Sequence, residues 1–368
     1  MSPKKKILVA AGSSGGHIFP AVSFIEALKE SYPEIEVLLL LPRENILKDK
    51  TGIPCPVKYL SVPVLSLKFN LHNLKGLLKL FNACLEAMAV NIKFKPDLVV
   101  GFGSLICIPI VLCAWLFRVK TIIHEQNVIP GKANKFLSLF CDKIAISFKE
   151  TEKYLRFKRK LVYTGNPIRR SLIKIEKNKA LEFFGLAEDK FTILVFGGSQ
   201  GSQHINEDFF KFVATKDIRE RLQVIHLSGE KDYAQLNQDY ANLGAKARVF
   251  PFLDAISYAY SAADLILSRA GAGTIAEITY FRIPAIIVPY PHAHGHQIAN
   301  ARILGQHGTA RLIEDSQFNA SVLEKVLVPL IEETGKLEIM RRGYDSFIQG
   351  DAAKNLASMV MANEESHA

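Results

Sequence analysis

Several stretches of this 368-residue chain bring chemically capable side chains to the ends of apolar runs. In Ser268–Gln297, the run Ala263–Leu267 gives way to Ala270-Gly271-Ala272-Gly273-Thr274, with Ile275, Ala276 and Glu277 after it. Strand, glycine turn and helix in that order aim backbone N–H groups and a positive helix end at an anion. Glu277 falls about one turn inside the helix, where a carboxylate can accept from a sugar diol. A second apolar run, Pro284–Pro289, delivers His292, His294, His296 and Gln297 to the same edge. The three histidines lie on a loop with no acidic pair, so no metal is expected. Gly12-Ser13-Ser14-Gly15-Gly16-His17 ends on an imidazole that, neutral near pH 7, can take a proton from a hydroxyl. His124-Glu125-Gln126-Asn127 adds a second carboxylate and an amide. Gly101-Phe102-Gly103-Ser104 and Gly197-Gly198-Ser199-Gln200-Gly201 are further loops whose backbone can approach a phosphate. Each loop alone is equally an ordinary tight turn, and His17 equally a capping histidine. Their recurrence at corresponding strand ends gives the ligand reading its weight. Neither GxGxxG nor GxxxxGK[ST] occurs.

The elements that must carry these loops alternate strand, glycine loop, helix. Lys6–Ala11, Ile35–Leu41, Asp97–Gly101, Lys120–His124 and Lys143–Ser147 read as buried strands, and Pro20–Ser31 as a helix with Pro20 near its start. The rhythm restarts with strand Phe191–Phe196, helix His204–Thr215 and strands Gln223–Ser228 and Ala247–Pro251. The expected class is α/β, with two Rossmann-like, doubly wound domains facing across a cleft. Turn chemistry and a charge shift around Thr164-Gly165-Asn166-Pro167 set the boundary. Residues 1–165 form an N-terminal domain, to which a C-terminal segment, 348–368, is expected to return, and 166–347 form the second domain.

Composition narrows the partners. Half the chain is hydrophobic (49%) and 22% is charged, which excludes a disordered chain. The first 165 residues carry 24 Lys/Arg against 12 Asp/Glu, so the net +10 divides into +12 there and −2 in the rest. That asymmetry points to a membrane surface, a nucleic acid or a phosphorylated substrate at the first half. Five cysteines, an odd number without a CxxC pair, read as reduced thiols of a cytosolic protein. Lys4-Lys5-Lys6 before an apolar run imitates a signal peptide, but the run is short and leads into glycines. Leu98–Phe117 is uncharged over bilayer length, yet Gly101, Gly103, Ser104 and Pro109 make it strand, turn and helix. In Leu71–Phe94, residues Leu71, Leu74, Leu78, Phe81, Leu85, Met88 and Ile92 repeat at helical spacing, with lysines nearby. This is either a core-facing helix or a rim that dips into an anionic membrane surface.

Six motifs together resemble one family. They are GSSGGHIFPA (Gly12–Ala21), HEQNVIPGKANK (His124–Lys135), TGNPIR (Thr164–Arg169), GGSQGSQHIN (Gly197–Asn206), SRAGAGTIAE (Ser268–Glu277) and PYPHAHGHQIANA (Pro289–Ala301). In order and spacing they resemble the MurG family of bacterial glycosyltransferases, over nearly the whole chain. The resemblance implies a GT-B fold and inverting transfer of N-acetylglucosamine from UDP-GlcNAc to the C4 hydroxyl of MurNAc. The acceptor would be undecaprenyl-pyrophosphoryl-MurNAc-pentapeptide (lipid I, giving lipid II), a step of peptidoglycan biosynthesis. No cofactor is implied. The implied setting is the cytoplasmic face of the bacterial cell membrane, held peripherally on its anionic surface. Nucleic acid is not a partner, and proteins of cell-wall synthesis are candidate partners.

Carried onto this sequence, Ala272, Gly273, Thr274, Ile275, Ala276 and Glu277 would meet the diphosphate and ribose, and Ser199 phosphate. Gln297 and Asn127 would hold the N-acetylglucosamine, Arg169 would line the donor site, and Leu253 would border the uracil. Ser14, Gly15 and Gly16 would approach the donor sugar and the acceptor diphosphate, while Gly12, Ser13, Gly103 and Ser104 would form the acceptor side. His17 is the expected base, with Glu125 the alternative. Three departures stand out: Ser13 within a GGTGGH-like loop, Ser104-Leu105 in a GFGGY-like loop, and His294-Gly295 where an acidic pair commonly precedes the HQ. A diacylglycerol hexosyltransferase and a non-catalytic nucleotide-sugar-binding scaffold are the rival readings.

Overall fold

The apolar runs become strands of two parallel sheets in the computed structural model. It describes residues 5–43, 52–61, 71–198, 201–214, 217–293, 295–347 and 350–362, with the side chains of 71–80, 217, 218 and 334 outside that description. Two units result, residues 1–170 with 350–368, and 171–349. In the first, the elements run β1 (Lys6–Ala10), α1 (Gly15–Ser31), β2 (Glu36–Pro42), β3 (Val57–Leu60), α2 (Leu71–Phe94), β4 (Leu98–Gly101), α3 (Cys107–Leu116), β5 (Lys120–Glu125), α4 (Lys132–Leu137), β6 (Lys143–Ile146) and β7 (Leu161–Tyr163). The sheet order is β3-β2-β1-β4-β5-β6-β7, parallel throughout. The order reverses at β1/β4, so the glycine loops after β1 and β4 leave neighbouring strands at the switch point where such sheets bind ligands.

The second unit runs α5 (Lys177–Phe184), β8 (Phe191–Phe196), α6 (Gln203–Ala214), β9 (Leu222–Leu227), α7 (Glu230–Leu243), β10 (Ala247–Phe250), α8 (Ile256–Ala262), β11 (Leu265–Ser268), α9 (Ala272–Phe281), β12 (Ala285–Ile287), α10 (His296–Gln306), β13 (Ala310–Leu312), α11 (Ala320–Glu332) and α12 (Thr334–Arg342). Its sheet order is β10-β9-β8-β11-β12-β13. Here β8/β11 is the switch point, with the Gly197 loop and the start of α9 beside each other. The chain then returns to the first unit as α13 (Ala352–Ala362), whose Leu356, Ala357 and Val360 pack among Ile7, Phe24, Ile25 and Leu28.

One local expectation is corrected, and one open alternative is narrowed. Helix α1 starts at Gly15 rather than at Pro20, which sits in its second turn. A proline there forgoes the bond that residue 20 would otherwise donate to the Gly16 carbonyl. In α2, of the two readings left open for the large apolar stripe, its described members do not form the core face. Ala83, Ala87 and Val90 are buried, while Phe81, Leu85 and Ile92 are 61%, 48% and 58% exposed. Leu71, Leu74 and Leu78 belong to side chains outside the description. Trp115 and Leu116 on α3, Phe117 just after it, Phe136 on α4 and Leu139 just after that helix are exposed as well. Trp115 and Phe136 both meet Phe140, at ring-centroid distances of 5.2 Å. Exposed Lys93, Arg118, Lys132 and Lys135 lie among them in sequence. No helix among the described residues is long and apolar enough to cross a membrane.

The second core contains a buried polar cluster that dictates a pH response. His226 on β9 lies 3.1 Å from Tyr240 Oη through Nδ1 and 3.0 Å from Asn206 Oδ1 through Nε2. The neutral ring satisfies both, and burial pushes its pKa down to about 3. Burial likewise holds His17 and His124 at about 4. A histidine whose folded pKa lies below its unfolded 6.5 contributes stability that is complete above pH 6.5 and lost as pH falls towards the folded value. Each such ring therefore removes about 2 kcal/mol between pH 6.5 and 5. Thermal melting followed by circular dichroism should show the midpoint falling across that interval, with His226→Gln flattening the slope.

Candidate functional site

In the first unit, α1 begins at the carboxyl end of β1 with Ser14 as its N-cap residue. The Ser14 hydroxyl meets His17 Nδ1 at 2.7 Å and caps no helix N–H. The opening amides of Gly15 and Gly16 are therefore left for an anion, with no acidic side chain in the first turn to compete. The His17 ring occupies a slot between two glycines. A methyl group on Gly12 would lie 3.2 Å from His17 Nδ1, and one on Gly103 3.1 Å from Cδ2 and 3.2 Å from Nε2. The ring lies deep enough for its pKa to fall, although the residue as a whole keeps partial exposure.

Ser104 borders the same slot: a methyl on Gly12 would approach its Cβ to 2.4 Å. Ser104 takes φ +70°, a left-handed conformation that costs an ordinary residue about 1–2 kcal/mol. Gly103, at φ +82°, needs its glycine both for that angle and for the His17 contact. Replacing Ser104 by glycine relieves the backbone strain while enlarging unfolded-state entropy, for a net gain of about 0.5–1 kcal/mol. Denaturant unfolding of Ser104→Gly checks this.

At the end of β5, His124 is fully buried, with Nε2 3.1 Å from Gly165 O and Nδ1 3.1 Å from Gln126 Nε2. Donation from Nε2–H to the carbonyl, and acceptance at Nδ1, fit the neutral ring. Glu125 is 2% exposed and accepts from Asn127 N (2.9 Å), Asn127 Nδ2 (3.3 Å), Gly131 N (3.0 Å) and Asn134 Nδ2 (2.8 Å). Burial raises its pKa, and these four donors oppose the rise. Both oxygens are thus committed, and the geometry opposes Glu125 as a base. It anchors the loop that carries Asn127 instead. Arg169 lies over the Phe19 ring at 5.1 Å, and a methyl on Gly15 would meet that ring at 2.9 Å. Arg169, Phe19 and the start of α1 are therefore one layered group.

In the second unit, α9 opens on Ala272, Gly273 and Thr274 behind the N-cap residue Gly271, with no side-chain cap and no acidic residue in the first turn. A methyl on Gly273 would meet nothing within 4 Å, so the helix surface is open at that position. Ile275 is buried, Ala276 partly so, and Glu277 lies on the half-buried side of the helix, receiving Tyr260 Oη at 2.7 Å. Gln297 Oε1 accepts from Ala270 N (3.0 Å) and Tyr290 N (2.9 Å), and its Nε2 makes no hydrogen bond among the described residues. The amide is thus oriented with its donor end presented. Leu253 is half-buried in the turn after β10. Gly201, at φ +75°, brings its loop so close to β9 that a methyl would lie 2.0 Å from Ser228 O. Ser199 and His294 lie outside the described residues.

Sequence reasoning missed Arg269 and Tyr260. Arg269 is buried, donates to Ser202 Oγ (3.0 Å) and Val288 O (3.1 Å), pairs with Asp315 and lies 5.5 Å from the Tyr290 ring. It ties the Gly197 loop to the strand end before Tyr290. The arginine directly before Ala270-Gly271 was its only signal. No group of three potential metal ligands occurs among the described residues. Burial raises the Cys107 and Cys141 thiols to about 12 and Cys55 to about 11, so none is a thiolate near neutral pH.

Comparison with known proteins adds an independent line. The glycosyltransferase family 28 N-terminal domain matches residues 7–146, and the family 28 C-terminal domain residues 192–356. The chain is 37% identical over 342 residues (91% of it, 92% of the relative) to a protein of Thermodesulfovibrio yellowstonii. That protein is named UDP-N-acetylglucosamine–N-acetylmuramyl-(pentapeptide) pyrophosphoryl-undecaprenol N-acetylglucosamine transferase. A Bacillus subtilis protein of the same name is 34% identical over 363 residues, 96% of this chain and 98% of its own. The crystal structure of Acinetobacter baumannii MurG is similar with TM-score 0.77 and 25% identity, covering 98% of this chain and all of that one. The fold is GT-B, and the chain belongs to glycosyltransferase family 28, with the N-acetylglucosamine transferases of that name as its relatives.

Proposed function

We propose that the chain transfers N-acetylglucosamine from UDP-GlcNAc to the MurNAc C4 hydroxyl of undecaprenyl-pyrophosphoryl-MurNAc-pentapeptide, with inversion at the anomeric carbon. The observation that carries this reading lies in the second unit: α9 opens with no side-chain cap and no acidic residue in its first turn, Glu277 lies on the same helix, and Gln297 is oriented by the backbone N–H groups of Ala270 and Tyr290. In this reading the α9 amides, with Ser199, hold the diphosphate and Glu277 the ribose. Gln297 and Asn127 hold the sugar, Arg169 lines the donor site and Leu253 borders the uracil.

The leaving UDP carries its charge onto backbone N–H groups and a helix end, which supply the stabilisation that a metal supplies elsewhere. Gly12, Ser13, Gly103 and Ser104 surround the acceptor, Ser14, Gly15 and Gly16 approach the donor sugar and the acceptor diphosphate, and His17 takes the acceptor's hydroxyl proton. The nitrogen that acts is Nε2 when Nδ1–H donates to Ser14 Oγ. The exposed apolar stripe with its basic neighbours rests on the anionic cytoplasmic surface of the cell membrane, where the lipid acceptor resides.

The test is transfer of radiolabelled sugar from UDP-GlcNAc to a lipid I analogue, with a panel of UDP-sugars and diacylglycerol alongside. Activity on diacylglycerol alone overturns the acceptor assignment. Bound UDP-GlcNAc without UDP release in the presence of lipid I replaces the enzyme by a scaffold.

A further inference from the structure

We infer that Tyr260 is a positioning residue that fixes the Glu277 carboxylate so that the donor site selects a ribonucleotide over a 2′-deoxyribonucleotide. The inference rests on the reading of Glu277 as the ribose ligand. Tyr260 lies on α8 and is 2% exposed. Its Oη donates to Glu277 Oε2 at 2.7 Å. The ring itself is held: it stacks on Phe281, with centroids 4.8 Å apart and planes at 20°, and meets Phe196 edge-on at 6.1 Å. Phe196 is the last residue of β8, just before the Gly197 loop, and Phe281 is the last residue of α9. The phenol is thus wedged between the strand that leads to one loop and the helix that bears Glu277.

A buried tyrosine hydroxyl requires a partner, and a carboxylate is the strongest acceptor it can find. The bond works in both directions. It satisfies the phenol, and it restricts a side chain that would otherwise sample several rotamers. Glu277 is half-buried, so part of its side chain remains accessible to solvent. A vicinal diol presents two O–H donors to such a carboxylate. A 2′-deoxy sugar presents one, leaving an acceptor desolvated and unpaired, which is the situation in which polar sites discriminate strongly. A carboxylate free to rotate would turn its unused oxygen to water and discriminate poorly.

The experiment compares steady-state kinetics of the full chain with UDP-GlcNAc and its 2′-deoxyribose analogue, using a lipid I analogue as acceptor. Wild-type protein should prefer the ribonucleotide by about 10²-fold. Tyr260→Phe should raise KM for UDP-GlcNAc about tenfold, leave kcat within about twofold, and shrink the preference to about threefold or less. Glu277→Gln is the control for the underlying assignment. Loss of preference in both variants supports the inference. Loss in Glu277→Gln with full preference in Tyr260→Phe overturns the positioning role alone. Full preference in both overturns the ribose assignment with it. Should Tyr260→Phe fail to fold, Phe281→Leu loosens the ring while keeping the hydroxyl, and retained preference there counts against the inference.

Discussion

His17→Ala should lower the single-turnover rate of sugar transfer by about 10²–10⁴, the range a positioned general base contributes. The ring has what the role demands. It is neutral near pH 7, because burial holds its pKa at about 4. Ser14 Oγ fixes Nδ1 at 2.7 Å, and the slot between Gly12 and Gly103 fixes the plane. A base with so low a pKa accepts a proton poorly, so bound substrate has to raise it. An acceptor diphosphate near the amides of Gly15 and Gly16 does this, since neighbouring negative charge favours the imidazolium. The expected signature is an acid limb of kcat lying at higher pH than that of kcat/KM, which reports the free enzyme. Full turnover by His17→Ala would reject the assignment.

The second large effect concerns the membrane. Replacing Phe81, Leu85 and Ile92 together by glutamate should weaken binding to anionic vesicles by at least about 100-fold. Each of these half-exposed side chains contributes about 1 kcal/mol when it leaves water, so three give about 3 kcal/mol, and the added negative charge acts in the same direction. Because all three side chains are more than 45% exposed, the fold should survive, with an unchanged melting temperature. Transfer to a short-chain, water-soluble acceptor should be retained while transfer to vesicle-embedded lipid I falls. Sedimentation at rising salt separates the two contributions, since the basic residues act within a Debye length of about 8 Å at physiological ionic strength and the apolar ones do not depend on it. Unaltered vesicle binding by the triple variant would move the contact surface elsewhere on the chain.

The sheets were legible because parallel strands covered on both faces are continuous apolar runs: Ile7–Ala11, Val99–Gly101 and Leu265–Leu267 announce themselves. The glycine loops were legible because they punctuate those runs. Helix α2 was legible as a helix, but its orientation was not. Its strongest periodic stripe is made of large side chains, whereas the face packed inward is Ala83, Ala87 and Val90. Small residues allow close helix packing and register weakly in any hydrophobic count. Helix α1 was cut short because proline is common at helix starts, and only the Ser14–Gly15 junction reveals the true one. Glu125 was identified as a site residue, but the four donors that saturate it come from Asn127, Gly131 and Asn134, whose convergence depends on the loop's path. Tyr260 was invisible for a related reason. A tyrosine in a short apolar helix looks like any core tyrosine until its hydroxyl is seen to reach Glu277.

The return of α13 to the first sheet makes the second unit an insertion within the first. During synthesis, Leu356, Ala357 and Val360 emerge only after all of residues 171–349. The first unit, although translated first, is therefore completed last, after the whole of the second unit has been made. Until α13 docks, Phe24, Ile25 and Leu28 lack part of their cover, and the exposed stripe on α2 belongs to that same incomplete unit. A nascent chain thus presents two apolar surfaces at once until α13 is made.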